Sequence, residues 1–281
     1  MPTFSAYDGT ELAYHEKGEG EPLLCVPGGP MRASVYLGDL GGLTAHRRLI
    51  LLDLRGTGDS AVPDDPATYR CDRLVDDVEA LREHLGLDRI DVLGHSAGGD
   101  VATLYAARHP KRIRNLVLVT PATLAVGGIV TAEDRSEAAA LRKGEPWYPA
   151  VETALREIAE TGAPSAGWEV IGPLMYGRWD DRAQAHRAQS AAQKNAAASE
   201  VYYGEASFDP PATRAALADM TAPVLVLAGA YDGGPSPARA AELAELFPNG
   251  VCQVQPEGGH FPWLDDPEWF TRRVAGFLAQ D

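Results

Sequence analysis

The chain has 281 residues, of which 45% are hydrophobic, enough to bury one large core together with an inserted segment. Its formal net charge of −15, from 25 basic and 40 acidic residues, argues against nucleic acids and anionic membranes as partners. The N-terminus has no basic region followed by an apolar stretch, and no apolar run reaches transmembrane length, so we expect a cytoplasmic protein.

Strands and helices alternate through the first 122 residues. Residues 3–6 and 11–14, separated by the turn residues Asp8 and Gly9, predict a β-hairpin. Apolar runs predict further strands, and apolar residues at helical spacing predict helices between them. The predicted strands are 23–26, 49–52, 90–93 and 116–119, and the predicted helices are 74–85 and 101–107. This alternation is typical of a parallel sheet.

The most informative motif is Gly94-His95-Ser96-Ala97-Gly98, which follows the apolar run 90–93 and precedes a helical pattern. A serine between glycines on a sharp strand-to-helix turn is a nucleophile elbow, because the glycines allow strand and helix to approach closely. We therefore predict that Ser96 is a catalytic nucleophile. Neighbouring side chains on such a turn point apart, so we interpret His95 as a scaffold residue.

The strand pattern stops between about residue 123 and residue 211. This stretch is alanine-rich with helical spacing, and it contains Trp147, Trp168 and Trp179, which we expect mainly to pack the segment. We predict three parts of the chain: a first part of the core at 1–122, a helical cap at 123–211 and a second part of the core at 212–281.

Two strands predicted after this segment are each followed by a residue suited to catalysis. Asp232 follows the strand at 224–228, and His260 follows the strand at 251–255. Open α/β sheets place their functional groups at the carboxyl ends of strands. A serine nucleophile needs a base, and the base needs an orienting acid, and Ser-Asp-His is one of the known chain orders. We predict a triad of Ser96, Asp232 and His260.

Acyl transfer also needs hydrogen-bond donors for the oxyanion that develops on the substrate. One donor is expected to be the backbone N–H of Ala97, the residue after the nucleophile. The second should come from the loop 27–30, which follows an early strand. Pro30 has no N–H, whereas glycine allows the substrate to approach the backbone, so we assign the second donor to Gly29.

One segment resembles a dinucleotide-binding fingerprint. Gly56-x-Gly58-x-x-Ala61 follows the strand predicted at 49–52, but Pro63 and Pro66 would break the helix that must follow such a motif. We interpret the segment as a structured loop that borders the mouth of the active site. Since metal-binding spacings of His or Cys are also missing from the sequence, we expect no cofactor and no metal.

Over its whole length the sequence resembles the α/β-hydrolases, and within them the proline iminopeptidases. The narrower resemblance rests on Gly28-Gly29-Pro30, on Asp53-x-Arg55-Gly56-x-Gly58-x-Ser60 and on Gly259-His260-Phe261-Pro262. It implies an α/β fold with a mostly parallel eight-stranded sheet, helices on both faces and a helical cap inserted after the sixth strand. It also implies removal of an N-terminal proline through an acyl-enzyme, with Ser96 as nucleophile, Asp232 as orienting acid and His260 as general base.

Two positions differ from the iminopeptidase pattern and leave the substrate open. Pro27 stands where the family usually has histidine, and the elbow lacks the usual Gly-Gly-Ser-Trp-Gly. Esterases, lactonases and carbon–carbon hydrolases of the same fold also carry the elbow present here. A peptidase needs an anionic group to bind the amine of its substrate, and Glu169 and Glu200 in the cap are candidates for substrate binding. The alternative is that both are solvated helix carboxylates.

We therefore expect a cofactor-free serine hydrolase that acts on a small molecule or a short peptide, resembling the proline iminopeptidases. A carboxylesterase or lactonase is the alternative within the same fold. A homologue that binds a ligand without catalysis is the alternative from another class. Labelling by a fluorophosphonate separates a serine hydrolase from such a binding protein, because the label requires an activated serine.

Overall fold

The computed structural model describes residues 1–279. In this part of the chain the strands are β1 (Thr3–Ser5), β2 (Glu11–Lys17), β3 (Pro22–Val26), β4 (Arg48–Leu52), β5 (Ile90–His95), β6 (Ile113–Val119), β7 (Val224–Gly229) and β8 (Gly250–Gln255). The α-helices are α1 (Cys71–His84), α2 (Ala97–Arg108), α3 (Ala132–Ala140), α4 (Tyr148–Thr161), α5 (Asp181–Ala188), α6 (Ala196–Tyr202), α7 (Pro210–Leu217), α8 (Pro237–Ala244), α9 (Pro262–Asp265) and α10 (Pro267–Leu278). Short 3-10 helices lie at Ser34–Leu37, Leu43–Ala45, Pro66–Tyr69, Pro110–Arg112, Leu124–Val126 and Trp168–Met175. Among these helices we find none with the length and apolarity that a membrane crossing requires.

The eight strands form one sheet in the order β1-β2-β4-β3-β5-β6-β7-β8. β1 pairs with β2 and β2 with β4 in antiparallel fashion, whereas all later neighbours are parallel. In the parallel part Leu24 of β3 lies opposite Val92 of β5. The predictions of an eight-stranded, mostly parallel sheet and of the hairpin at its edge are therefore confirmed.

Helices cover both faces of the sheet. Leu24 and Val26 of β3 belong to the apolar cluster that contains α1, α2 and α8, whereas Leu23 and Cys25 belong to the cluster that contains α10. Successive side chains of a strand point to opposite faces, and a strand covered on both faces must be apolar throughout. This explains why the central strands appear in the sequence as continuous apolar runs.

The chain between β6 and β7 is helical, and within it lie α3 to α7. Val151 and Leu155 of α4 pack against Leu174 and Ala139 in a small apolar cluster, with Trp147 at its edge. This cluster contains no residue of the sheet, because it forms between the helices of the segment itself. We refer to residues 123–211 as the helical segment.

A backbone contact joins the helical segment to the loop after β3. Residues 31–33 pair with residues 193–195 through an isolated antiparallel bridge and backbone hydrogen bonds of 2.8 and 2.9 Å. The hydroxyl of Ser199 in α6 also donates to the Pro30 carbonyl at 2.8 Å. Because Gly29 precedes this contact directly, the loop with the predicted oxyanion donor is fastened to the helical segment.

Candidate active site

Ser96 lies on the sharp turn between β5 and α2 that the sequence predicts. Its φ of +54° is a conformation that residues other than glycine rarely adopt, and such strain is typical of nucleophile elbows. A Cβ atom added to Gly94 would lie 2.5 Å from the Gly98 carbonyl oxygen, and one added to Gly98 would lie 2.3 Å from that of Val26. Both glycines are therefore required by the close approach of strand and helix.

Asp232 and His260 follow the ends of β7 and β8 and lie together. The Asp232 Oδ2 atom is 2.7 Å from His260 Nδ1, and Asp232 Oδ1 accepts a hydrogen bond of 2.9 Å from the Gly234 N–H. The two residues are only 2% and 4% exposed. The carboxylate thus fixes the ring orientation and leaves His260 Nε2 as the nitrogen that can exchange a proton with a reactant.

Two cavities meet at Ser96 and His260. The larger one, of about 320 Å³, extends towards the helical segment and is bounded there by Trp168 and Leu174. The smaller one, of about 80 Å³, is bounded by Tyr176 and other polar side chains. Among residues 1–279 the Ser96 hydroxyl makes no hydrogen bond, so it remains available to a reactant in either cavity.

The loop after β3 passes directly against the elbow. A Cβ atom added to Gly28 would lie 2.7 Å from the Cβ of Ser96 and 3.1 Å from the Ala97 nitrogen. Gly29 lines both cavities and has a φ of +121°. Within the described residues neither Gly29 nor Ala97 donates its N–H to a protein acceptor. The two predicted oxyanion donors therefore lie beside Ser96 with unused N–H groups.

A buried hydrogen-bond network beneath the elbow includes Tyr36, a residue that the sequence analysis missed. The Tyr36 hydroxyl accepts the Gly28 N–H at 2.7 Å and lies 2.7 Å from His95 Nδ1, while His95 Nε2 lies 2.9 Å from the His260 carbonyl oxygen. Burial holds the pKa of His95 well below its usual range, so the ring is neutral. Because a carbonyl only accepts, Nε2 carries the proton and Tyr36 donates to Nδ1. His95 is a scaffold residue, as we interpreted it.

The two glutamates predicted to bind a substrate amine lie outside both cavities. The Glu169 side chain is 79% exposed, and its carboxylate accepts two hydrogen bonds of 2.9 Å from the Arg187 guanidinium. Glu200 is exposed on α6 and lines neither cavity. Their placement corresponds to the alternative of solvated carboxylates, because the ion pair and the solvent already satisfy them.

Three arginines that the sequence analysis did not single out line the cavities instead. Arg135 and Arg187 line the larger cavity, and Arg32 and Arg187 line the smaller one. Of the three, only Arg32 could have been identified as a candidate site residue from the sequence, because it lies two residues after the Gly28-Gly29-Pro30 motif. Arg135 and Arg187 come from helices whose inward face a sequence cannot identify.

The loop with the nucleotide-like motif does not line either cavity in the described part of the chain. The Asp53 carboxylate accepts hydrogen bonds from the N–H groups of Ser34 and Asp59 and lies 2.9 Å from His15 Nε2. His15, Asp53 and Asp59 bring their donor atoms within 4.8 Å of one another, the spacing that a metal ion requires. Since two backbone N–H groups already occupy Asp53, this cluster is better explained as the anchor that holds the loop against residue 34.

Comparisons with known proteins relate the chain to hydrolases. A family described as the alpha/beta hydrolase fold matches residues 21–157. A proline iminopeptidase from Heyndrickxia coagulans is 24% identical over 94% of this chain and 93% of its own length. The crystal structure of a proline iminopeptidase from Mycobacterium smegmatis is 26% identical with a TM-score of 0.75, covering 99% of this chain and 97% of the other. An esterase from Exiguobacterium antarcticum is 20% identical with a TM-score of 0.75 and 99% coverage of both chains, which shows a shared fold.

Proposed function

Since this chain is an α/β-hydrolase that resembles the proline iminopeptidases, we propose that it is a serine hydrolase that cleaves a small amide or ester through an acyl-enzyme. One observation carries the proposal. The imidazole of His260, hydrogen-bonded by Asp232 at 2.7 Å, shares a cavity with Ser96 on a strained elbow. A nucleophile, a base and an orienting acid at one cavity are the components that acyl transfer requires.

In the proposed reaction the Ser96 hydroxyl attacks the carbonyl carbon of the substrate while its proton passes to His260 Nε2. The N–H groups of Gly29 and Ala97 stabilise the negative charge on the carbonyl oxygen. When the tetrahedral intermediate collapses, His260 returns the proton to the departing amine or alcohol, and an ester of Ser96 remains. His260 then takes a proton from water, which attacks this ester. The acyl group leaves as a carboxylic acid, and His260 returns the proton to the Ser96 oxygen.

The charge of the cavity walls favours a substrate other than the free N-terminus of a peptide. Among the described residues that line the two cavities, Asp232 is the one carboxylate, and it is already paired with His260. Arg135 and Arg187 line the same walls. A protonated amine would be repelled by these guanidinium groups and would find no free carboxylate. This observation favours an ester or lactone over an N-terminal prolyl amide.

The proposal is tested by activity and by labelling of the serine. We expect the wild-type protein to react with a fluorophosphonate and to hydrolyse a short-chain nitrophenyl ester, and we expect Ser96→Ala to lose labelling and about 10⁴-fold or more in kcat/KM. Ser136→Ala, an exposed serine on α3, is the matched control and should behave as wild type. An unblocked prolyl anilide measured beside the ester distinguishes the two substrate classes.

The possible results separate three functions. Ser96-dependent turnover of the ester alone would identify an esterase or lactonase. Turnover of the prolyl anilide would identify an aminopeptidase and contradict the argument from the arginines. A folded wild-type protein that is neither labelled nor active would overturn the proposal and favour a protein that binds a ligand without catalysis.

A further inference from the structure

The cavities beside Ser96 are cationic, although the protein as a whole is strongly acidic. Arg32, Arg135 and Arg187 line their walls, and the net charge of the whole chain is −15. Within residues 1–279 neither Arg32 nor Arg135 has a carboxylate as an ion-pair partner. Positive charge confined to a cleft with low-dielectric walls concentrates anions there, even when the surrounding surface is negative.

Arg32 is held in a fixed orientation beside the smaller cavity. The residue is 4% exposed. Its Nε and Nη2 atoms donate to Gln193 Oε1 at 2.9 and 2.7 Å, and its guanidinium lies 4.2 Å from the centre of the Tyr36 ring. A neutral amide oxygen leaves the charge of the guanidinium uncompensated. An uncompensated buried charge is costly, so its presence at a cavity calls for a ligand of opposite charge.

Arg187 also lines the small cavity and borders the larger one as well. Arg32 lines the small cavity too, so one ligand in it can contact both residues. Arg187 is paired with Glu169, but that carboxylate is 79% exposed and points to the solvent. The guanidinium can therefore form hydrogen bonds with a ligand on its inner side.

We infer that the substrate carries a carboxylate, which binds between Arg32 and Arg187 in the smaller cavity. The cavity of about 80 Å³ is several times the roughly 10–15 Å³ that one water requires, so it has room for a carboxylate group. Guanidinium groups bind carboxylates through charge-assisted, often bidentate hydrogen bonds. The inference rests on the proposed function, because Ser96 and His260, the residues proposed to react with the substrate, line the smaller cavity.

The remaining part of the substrate then lies in the larger cavity. Ile171, Leu174 and Met175 line its walls from the helical segment, and Val130 lines them from the loop before α3. A side chain with a few carbon atoms fits this surface. The site thus selects a short apolar ester or amide with one carboxylate near the carbonyl that reacts.

A series of esters with one chain length and three charges tests the inference. The para-nitrophenyl monoester of adipate carries a carboxylate, its terminal carboxamide is neutral, and the ester of ε-aminocaproate is cationic. We expect kcat/KM to be about tenfold or more higher for the carboxylate than for the carboxamide, and lowest for the amine. Acetate esters of meta-hydroxybenzoate and meta-hydroxybenzamide apply the same comparison to the leaving group.

Three variants test whether a preference for the carboxylate ester depends on Arg187. Arg187→Gln should reduce the ratio of carboxylate to carboxamide turnover towards one. Glu169→Gln breaks the same ion pair but keeps the guanidinium, so the ratio should stay or increase. Arg272→Gln, a surface arginine paired with Glu268 on α10, is the matched control.

The outcomes distinguish the inference from the proposed function. Ser96-dependent hydrolysis of all esters with equal kcat/KM would overturn the carboxylate site and leave the serine hydrolase intact. Loss of the preference in Glu169→Gln as well as in Arg187→Gln would assign it to the ion pair rather than to the guanidinium, and would also overturn the inference. Binding of adipate, but not its diamide, to the Ser96→Ala protein would support the site without any turnover.

Discussion

The two sides of the cavity are built by different means. On the side of the sheet, Ser96, Asp232 and His260 follow the ends of three parallel strands, and backbone geometry places them. On the side of the helical segment, Trp168 and Arg187 are placed by packing and by an ion pair between side chains. A change of side chain can alter the second side without disturbing the first. This division suits an enzyme whose chemistry is constant and whose substrate can change.

The largest effect is expected on the side of the sheet. Asp232→Asn should lower kcat by about 10³- to 10⁴-fold with little change in KM. The asparagine oxygen would stay on the Gly234 N–H, so its NH2 group would face His260 Nδ1 and favour the wrong tautomer of the ring, without the negative charge that stabilises its protonated form. The measurement is the steady-state hydrolysis of the best ester. Asp219→Asn, an exposed aspartate after α7, is the matched control. A loss of less than tenfold would show that the carboxylate does not orient the base.

On this side of the cavity the sequence indicates the positions of the residues most directly. Ser96, Asp232 and His260 could be located because each follows a strong apolar run, and strand ends of a parallel sheet meet at one edge. Gly94 and Gly98 mark a backbone contact that no other residue permits. Both constraints act between residues that are close in the sequence, so the sequence alone reveals them.

The helical side was predicted only as a helical region. The pairing of Glu169 with Arg187 joins two elements across an intervening stretch of chain, and helical spacing alone does not tell which residues face inward. The sequence therefore suggested two glutamates for an amine, whereas the cavity is lined by arginines. Tyr36 was missed for a similar reason, because its contact with His95 depends on the packing of a loop under the elbow.

A smaller effect is expected from the network that supports the elbow. Tyr36→Phe removes the hydroxyl that accepts the Gly28 N–H and donates to His95. The loop that contains Gly29 therefore loses one of the hydrogen bonds that hold it in place. We expect kcat to decrease about tenfold, the cost of one buried hydrogen bond, while KM changes little. Tyr14→Phe, whose hydroxyl contacts His84 on the opposite face of the sheet, is the control. An increase in KM alone would assign Tyr36 to substrate binding instead.

The smallest effect is expected on the helical side. Trp168 is 52% exposed and borders the larger cavity, so Trp168→Ala removes an apolar wall without changing Ser96, Asp232 or His260. We expect KM to rise about threefold to tenfold, as for a partly buried aromatic contact, and kcat to remain close to wild type. Val62→Ala, an exposed residue away from both cavities, is the control. A large decrease in kcat would contradict the separation of the two sides.

The backbone contact between residues 31–33 and 193–195 has a consequence for the timing of the reaction. An outward movement of the helical segment at this point would draw the loop with Gly29 away from the elbow. The N–H of Gly29, the predicted oxyanion donor, would then leave its position beside Ser96. The position of the helical segment and the position of the Gly29 N–H are therefore coupled through this one backbone contact, so a change in the first would alter the rate of the proposed reaction.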